Sequence, residues 1–437
     1  METSQEKAAR EIIGQLRGNG FFALYAGGYV RDMILGTQKR GDIDIATNAT
    51  PQQISGLFRN VVAVGEHFGV MIVVMGEIPF EVATFRKDIG TADNRHPASV
   101  SFTDAREDAL RRDFTINGMF YDPVKKEVLD YVEGRADLEK GVIRAIGEAR
   151  LRFEEDYLRM IRAIRFGARF GFSIEKHTWD ALVAQAPGIT KISAERIFQE
   201  LDKMLMGPNP DKAIVMLKDS GLLSIVLPEV AACAGVEQPK EFHPEGDVFT
   251  HIVLALSKLF APTHVAAWST LLHDIGKPST MVVADRIRFS NHDVVGAKLA
   301  ERVLRRLKAP SQLIEDVYEV IVNHMNFMNV QKMRLSTLKK FLSRKTLEDE
   351  LTLHKADCLA SHKDISNFDF IRQKQGELSV ETIKPAPLIG GRDLIALGYK
   401  PGPLFGQMLD QMYDMQLEEK IVTRQEAIDW VLLKYKI

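Results

Sequence analysis

Cysteine is scarce: Cys233 and Cys358 are the two in 437 residues, and they lie far apart. That spacing argues against a disulfide framework and leads us to expect a reducing, cytoplasmic setting. Long apolar runs are missing too, none approaching the roughly 20 residues a membrane span needs. No membrane association is therefore expected. The N-terminus, METSQEKAAREI, carries charges where a secretory signal has an apolar core. Neither sign of charge dominates, the formal net charge being −2. Affinity for a polyanion comes from phosphate neutralisation by Lys and Arg, so any such contact must use a local basic face. Repeats and low-complexity tracts are absent. The remainder is 45% apolar and 27% charged, ordinary globular composition, and the length allows about three domains. Nothing in it points to an oligomeric state.

The densest chemistry lies between Ala26 and Thr47, AGGYVRDMILGTQKRGDIDIAT. Alternate side chains of an extended segment share a face, so Asp42 and Asp44 point the same way. Two parallel carboxylates repel unless a cation sits between them. A hard cation such as Mg²⁺ takes oxygen ligands together with substrate phosphates. Gly27 and Gly28 offer bare backbone N–H groups to those phosphates, just ahead of the Arg31-Asp32 pair. The surrounding periodicity predicts a helix over 5–17 with Ala8, Ile12, Ile13 and Leu16 on one face. Strands are predicted at 22–25, 42–46, 61–64, 70–75 and 80–84. Glu81 is a candidate third carboxylate, although a half-buried edge residue describes it equally well. Residues 86–103 are too irregular for a strand or long helix, and a loop of that length is usually functional or disordered. Arg111, Arg112 and Asp113 follow, with Asn117 four residues on. Leading straight into apolar residues, these arginines stand at the rim of a core element, able to fork onto phosphate and ribose oxygens.

Residues 149–168 have the periodicity of one helix, with an apolar stripe of Leu151, Leu158, Ile161 and Ile164. Glu155, Asp156 and Arg159 cluster on it at i,i+3 and i,i+4. A surface salt bridge is the plain reading. The chemical reading is sharper. Ionised Asp only accepts hydrogen bonds and Arg only donates them. Cytosine and adenine both set an amino donor beside a ring-nitrogen acceptor and suit such a pair, whereas uracil and guanine turn a carbonyl toward the carboxylate. An unpaired buried polar group costs on the order of 1–3 kcal/mol, enough to discriminate. Asp156 and Arg159 are therefore expected to select CTP and ATP, with Glu155 orienting Arg159.

The order GGxVRD, DxD, RRDFTIN, Asp130-x-x-x-Gly134 and Glu155-Asp156-x-x-Arg159 resembles the class II tRNA nucleotidyltransferases and bacterial poly(A) polymerases across roughly the first 210 residues. The resemblance implies an α+β chain: a polymerase-β-type head with a mixed sheet and flanking helices, then all-α neck, body and tail. It implies attack of an RNA 3′-hydroxyl on the α-phosphate of a nucleoside triphosphate, with Mg²⁺ held by Asp42 and Asp44. Catalytic residues would be Asp42, Asp44 and Glu81, and nucleotide-binding ones Gly27, Gly28, Arg31, Arg111, Arg112, Asp113, Asn117, Glu155, Asp156, Arg159 and Arg162. The expected partners are tRNA, CTP and ATP. Relatives that add only CC lack a loop like 86–103, which disfavours that activity here. CCA addition, A addition and poly(A) synthesis stay open.

Farther on, His251 begins an apolar helix, LLHDIGKP holds His273-Asp274, and His292, His324 and Asp357 follow. Imidazole with carboxylate suits Mn, Ni, Fe or Mg. The series resembles the HD phosphohydrolases, which implies a metal site of His251, His273, Asp274 and Asp357, with His292 and His324 as ligands of a candidate second metal. A phosphomonoesterase or cyclic phosphodiesterase trimming RNA ends would follow. The rival from another class is a metal-dependent RNA-end phosphohydrolase whose head only binds RNA. Residues 332–345, KMRLSTLKKFLSRK, fit an RNA-backbone face and a plain amphipathic helix equally. Thr423-x-x-Glu426 is a capping box for a last helix. The expected domains are a head (1–145), neck (146–210), helical connector (211–240), HD-like metal-binding domain (241–365) and helical tail (366–437).

Overall fold

The computed structural model describes residues 3–37, 42–65, 69–91, 97–239, 241 and 243–435. Two compact units divide at Pro228/Glu229, inside the segment expected to be a connector. Among the described residues, no helix is long and apolar enough to cross a membrane.

The first unit is built on a seven-stranded sheet. Its strands are β1 (Ala23–Ala26), β2 (Asp44–Thr47), β3 (Val61–Gly65), β4 (Val70–Met75), β5 (Ile78–Thr84), β8 (Phe120–Asp122) and β9 (Glu127–Leu129), in the order β3-β4-β5-β2-β1-β8-β9. β2 and β5 run parallel and the other neighbours antiparallel, the mixed sheet expected. Ile45 stands opposite Val82, so Asp44 and Glu81, one residue earlier on each strand, come side by side. β5 is an inner strand, which removes the edge reading of Glu81. Leu24, Ala26, Ala46, Phe85 and Phe120 form the core beneath. The helix Ser4–Gly18 buries Ile12, Ile13 and Leu16, with Ala9 in place of the expected Ala8.

Two expectations need correction. The segment 86–103 is not irregular throughout: β6 (Arg86–Thr91) and β7 (Pro97–Phe102) pair as an antiparallel ribbon, and residues 92–96 lie outside the described ones. The Gly, Pro and polar residues of the segment hid both strands. The second correction concerns 149–168, which is two helices, Ala149–Glu155 and Leu158–Phe170. Asp156 is extended (φ −154°, ψ 100°) and its carboxylate accepts from Leu158 N at 3.1 Å. A side chain that offers the backbone a local acceptor competes with the helical ladder. Leu151 consequently leaves the predicted stripe and is 58% exposed, while Leu158, Ile161 and Ile164 are buried. Helices Ala194–Leu205 and Pro210–Asp219 complete the unit.

The second unit is almost entirely helical, with one short hairpin, Met281–Val283 and Ile287–Phe289. Its central helices are Val248–Ser257, His264–Leu272, His292–Arg306, Ser311–Asn323 and Leu347–Ala360. The C-terminal helices gather around Leu394, Met408, Met412, Ala427 and Val431, and Thr423 forms the expected capping box. The basic stretch becomes an amphipathic helix, Leu335–Leu342. Lys339, 2% exposed, pairs with Glu419; Lys340 pairs with Asp414 and Arg344 with Glu350. Those cations are spent within the fold, which disfavours the RNA-face reading.

Candidate functional site

A cleft of about 800 Å³ opens in the first unit, and Gly27, Gly28, Asp42, Asp44, Glu81, Asp156 and Arg159 all line it. Gly27 joins β1 to the helix Gly28–Ile34 with φ +65°. A Cβ there would stand 3.2 Å from Arg112 Nη1 and 3.7 Å from Asp44 Oδ2. Only glycine takes that conformation without strain, and its bareness lets the turn approach the acid pair. Burial first, then Glu81 and Asp42, push the Asp44 carboxyl up to about 6, against the pull of Arg112. Asp44 is thus a half-buried carboxylate under the field of two others, with Arg112 the cation that opposes them, and carboxylate oxygens are the ligand type a hard cation takes.

The arginines are held by an acid that sequence reasoning missed. Buried Asp108 takes Arg111 at 2.6 Å and Arg112 at 3.0 Å, one on each oxygen. Asp113 and Arg162 turn toward each other: Arg162 Nε and Nη2 reach Asp113 Oδ2 at 2.9 and 2.5 Å, and Asn117 Nδ2 reaches Oδ1 at 3.0 Å. Although burial opposes it, Arg162 and Asn117 hold Asp113 down at about 2. Arg31 donates to Asn117 and Asp32 and lies over the Phe170 ring. Arg31, Asp113, Asn117 and Arg162 thus form a frame that fixes the helix Leu158–Phe170 against the sheet. They line the cleft, with much of their hydrogen-bonding capacity directed at one another.

Glu155 grips Arg159 at 2.6 Å, as expected. Asp156 has a partner that spacing could not reveal: Arg196 forks onto it, Nη1–Oδ1 at 3.2 Å and Nη2–Oδ2 at 2.7 Å. Asp156 and Arg159 are therefore two separately anchored groups on a break between helices, not neighbours on one helical surface.

The second unit assembles the histidines. His251 Nε2 lies 3.3 Å from His273 Nε2 and 3.0 Å from Asp357 Oδ1. His292 Nε2 lies 3.3 Å from His324 Nε2. Asp274 stands between, Oδ2 at 3.2 Å from His273 and Oδ1 at 3.7 Å from His292. Three ligand groups result, His243–Glu245–His251, His251–His273–Asp357 and Asp274–His292–His324. The Nδ1 atoms of His273, His292 and His324 meet the carbonyls of Thr270, Phe289 and Ile321, leaving each Nε2 aimed inward. Asp274 Oδ2 also takes the Lys277 ammonium at 2.7 Å. Bare imidazole nitrogens this close need an ion between them, so the set fits divalent metal. Gly276 makes the closeness feasible: a Cβ there would stand 2.2 Å from His292 O. A cavity of about 490 Å³ opens beside the cluster, walled by Phe289, Phe327 and Met328 and by Lys277, Arg286 and Arg288.

Family models match residues 23–144 as a poly(A) polymerase head domain, 171–233 as an RNA- and SrmB-binding site of polymerase A, and 293–431 as tRNA nucleotidyltransferase domain 2. A CCA-adding enzyme of Geobacillus thermodenitrificans is 30% identical over 424 residues, 95% of this chain and 94% of that one. One from Staphylococcus aureus is 41% identical over 219 residues, 50% of this chain and 54% of that one. The crystal structure of the Bacillus stearothermophilus CCA-adding enzyme in complex with CTP superposes with a TM-score of 0.78 at 27% identity, covering 99% of this chain and 98% of that one.

Proposed function

The chain belongs to the family of CCA-adding enzymes, the tRNA nucleotidyltransferases, and on that premise we propose that it completes tRNA 3′ ends without a nucleic-acid template. It transfers C from CTP and A from ATP: the RNA 3′-hydroxyl attacks the α-phosphate and pyrophosphate leaves. The observation that carries this is the single cleft shared by Asp42, Asp44, Asp156 and Arg159. Asp42 and Asp44, with Glu81 beside them, would hold Mg²⁺, which supplies charge stabilisation for an in-line phosphoryl displacement. Gly27 and Gly28 leave room for phosphates. Asp156 accepts the amino group of cytosine or adenine, Arg159 donates to the ring nitrogen, and Glu155 and Arg196 hold the two in place. The β6–β7 ribbon occupies the segment that CC-only relatives lack, which disfavours an enzyme that adds C alone. Free Cys233 and Cys358 and a tRNA substrate favour a cytoplasmic setting.

The domain order we favour is head, base-selecting neck, connector, HD-like body and tail. In the body, His251, His273, Asp274 and Asp357, with His292 and His324, would hold a divalent metal pair serving a phosphohydrolase for RNA 3′ ends. The cationic and apolar walls of the adjoining cavity support that reading.

The test supplies each triphosphate alone to the purified protein with three RNAs: tRNA lacking CCA, tRNA ending in CC, and an RNA with no tRNA fold. Addition of C to the first and A to the second, with the third untouched, is expected. A tails on unfolded RNA would make it a poly(A) polymerase. Failure to extend the first while extending the second would make it an A-adding enzyme.

A further inference from the structure

We infer that Glu245 is a positioning residue for the metal centre of the second unit, holding His251 in the tautomer that turns Nε2 to the ion. The inference rests on the metal-centre reading above. His273, His292 and His324 place Nδ1 against main-chain carbonyls, which no substitution removes. His251 has no such carbonyl. Its Nδ1 lies 2.7 Å from Glu245 Oε1, and the same oxygen takes His243 Nδ1 at 2.9 Å.

An ionised carboxylate only accepts, so both rings keep a proton on Nδ1. His251 Nε2 is then the atom turned toward His273 and Asp357. The Glu245 side chain is 4% exposed, and its other oxygen has no hydrogen-bond partner. Burying a carboxylate is costly unless it is compensated, and the compensation here is the pair of imidazoles. A carboxylate behind a ligand histidine fixes the ring and raises its basicity, and losing it weakens metal binding about 10–100-fold. His251 belongs to the group with His273 and Asp357. Glu245 and His243 also lie close to it, but they meet on the Nδ1 side of the rings, away from that group. The group of Asp274, His292 and His324 has main-chain anchors. Glu245 therefore governs one of two metal positions.

The experiment uses full-length protein, stripped with chelator and carrying Asp42→Asn and Asp44→Asn so that the head binds no ion. Mn²⁺ is titrated calorimetrically and the bound metal counted by mass spectrometry. The parent should bind two ions. Glu245→Ala should keep one at parental affinity and weaken the other about 10–100-fold, while Glu245→Gln, which retains an acceptor oxygen, should stay near the parent. Imidazole ¹⁵N spectra of the metal-free parent should show His251 protonated at Nδ1. Two ions bound by Glu245→Ala at parental affinity overturns the inference, as does His251 without a proton on Nδ1, or loss of both ions with an unchanged thermal melt. A parent that binds no Mn²⁺ overturns the metal-centre reading instead.

Discussion

Asp44→Asn should make the metal-free protein more stable while abolishing nucleotide addition. Burial, Glu81 and Asp42 raise the Asp44 carboxyl from 3.8 to about 6. A carboxyl raised on folding contributes stability below its unfolded value, and that contribution is lost as pH rises through the folded one. Above pH 6 the folded state therefore bears the full penalty of the charged group. Two pH units at 1.36 kcal/mol each give about 3 kcal/mol, roughly halved for solvent screening at a half-buried site. Asparagine keeps the shape and removes the charge. At pH 8 without divalent metal, the variant's first unit should melt higher by about 3–6 °C, at roughly 2–4 °C per kcal/mol for a unit of this size. The gain should shrink as pH falls from 6 toward 4. Added Mg²⁺ with CTP should raise the melting point of the parent much more than that of the variant. Differential scanning fluorimetry across pH reads both. An equal or lower melting point for Asp44→Asn at pH 8 would refute the claim that these acids are held in mutual repulsion for a cation.

Four further outcomes follow from the geometry. Arg196→Ala releases Asp156 from its fork and should raise KM for CTP and ATP about tenfold, since a charge-assisted bond is worth about 1.5–3 kcal/mol. Asp156→Ala should admit UTP and GTP, which single-nucleotide incorporation assays detect; unchanged exclusion would remove Asp156 from base selection. Gly276→Ala places a Cβ 2.2 Å from His292 O and 2.7 Å from Gly296 N. Overpacking against backbone should cost about 1–3 kcal/mol and split the ligand groups, seen as lost metal by mass spectrometry. His273→Ala should abolish phosphate release from RNA ends while tRNA extension continues, whereas chelator should stop both reactions.

The site residues were legible where chemistry follows from local spacing. Asp42 and Asp44, two residues apart, both line the cleft, Glu155 reaches Arg159 four residues on, and Gly27 marks a turn that only glycine makes without strain. Their supports were not legible. Asp108 holds Arg111 and Arg112 from the preceding turn, yet in the sequence it is one acid in a charge run. Arg196 reaches Asp156 across 40 residues, and no periodicity encodes that meeting. Residues 149–168 read as one helix because apolar spacing continues through Asp156, where a side-chain hydrogen bond interrupts the backbone ladder.

By itself the sequence determined the donor types and the motif order, because those depend on side-chain chemistry and short-range repetition, and the resemblance carried by that order implied the mixed-sheet head. Tertiary structure alone decided which acid steadies which arginine, that Asp156 stands on a break between helices, and that Glu245 backs His251. Those choices depend on burial, where a charge must find a partner from whatever element packing brings alongside.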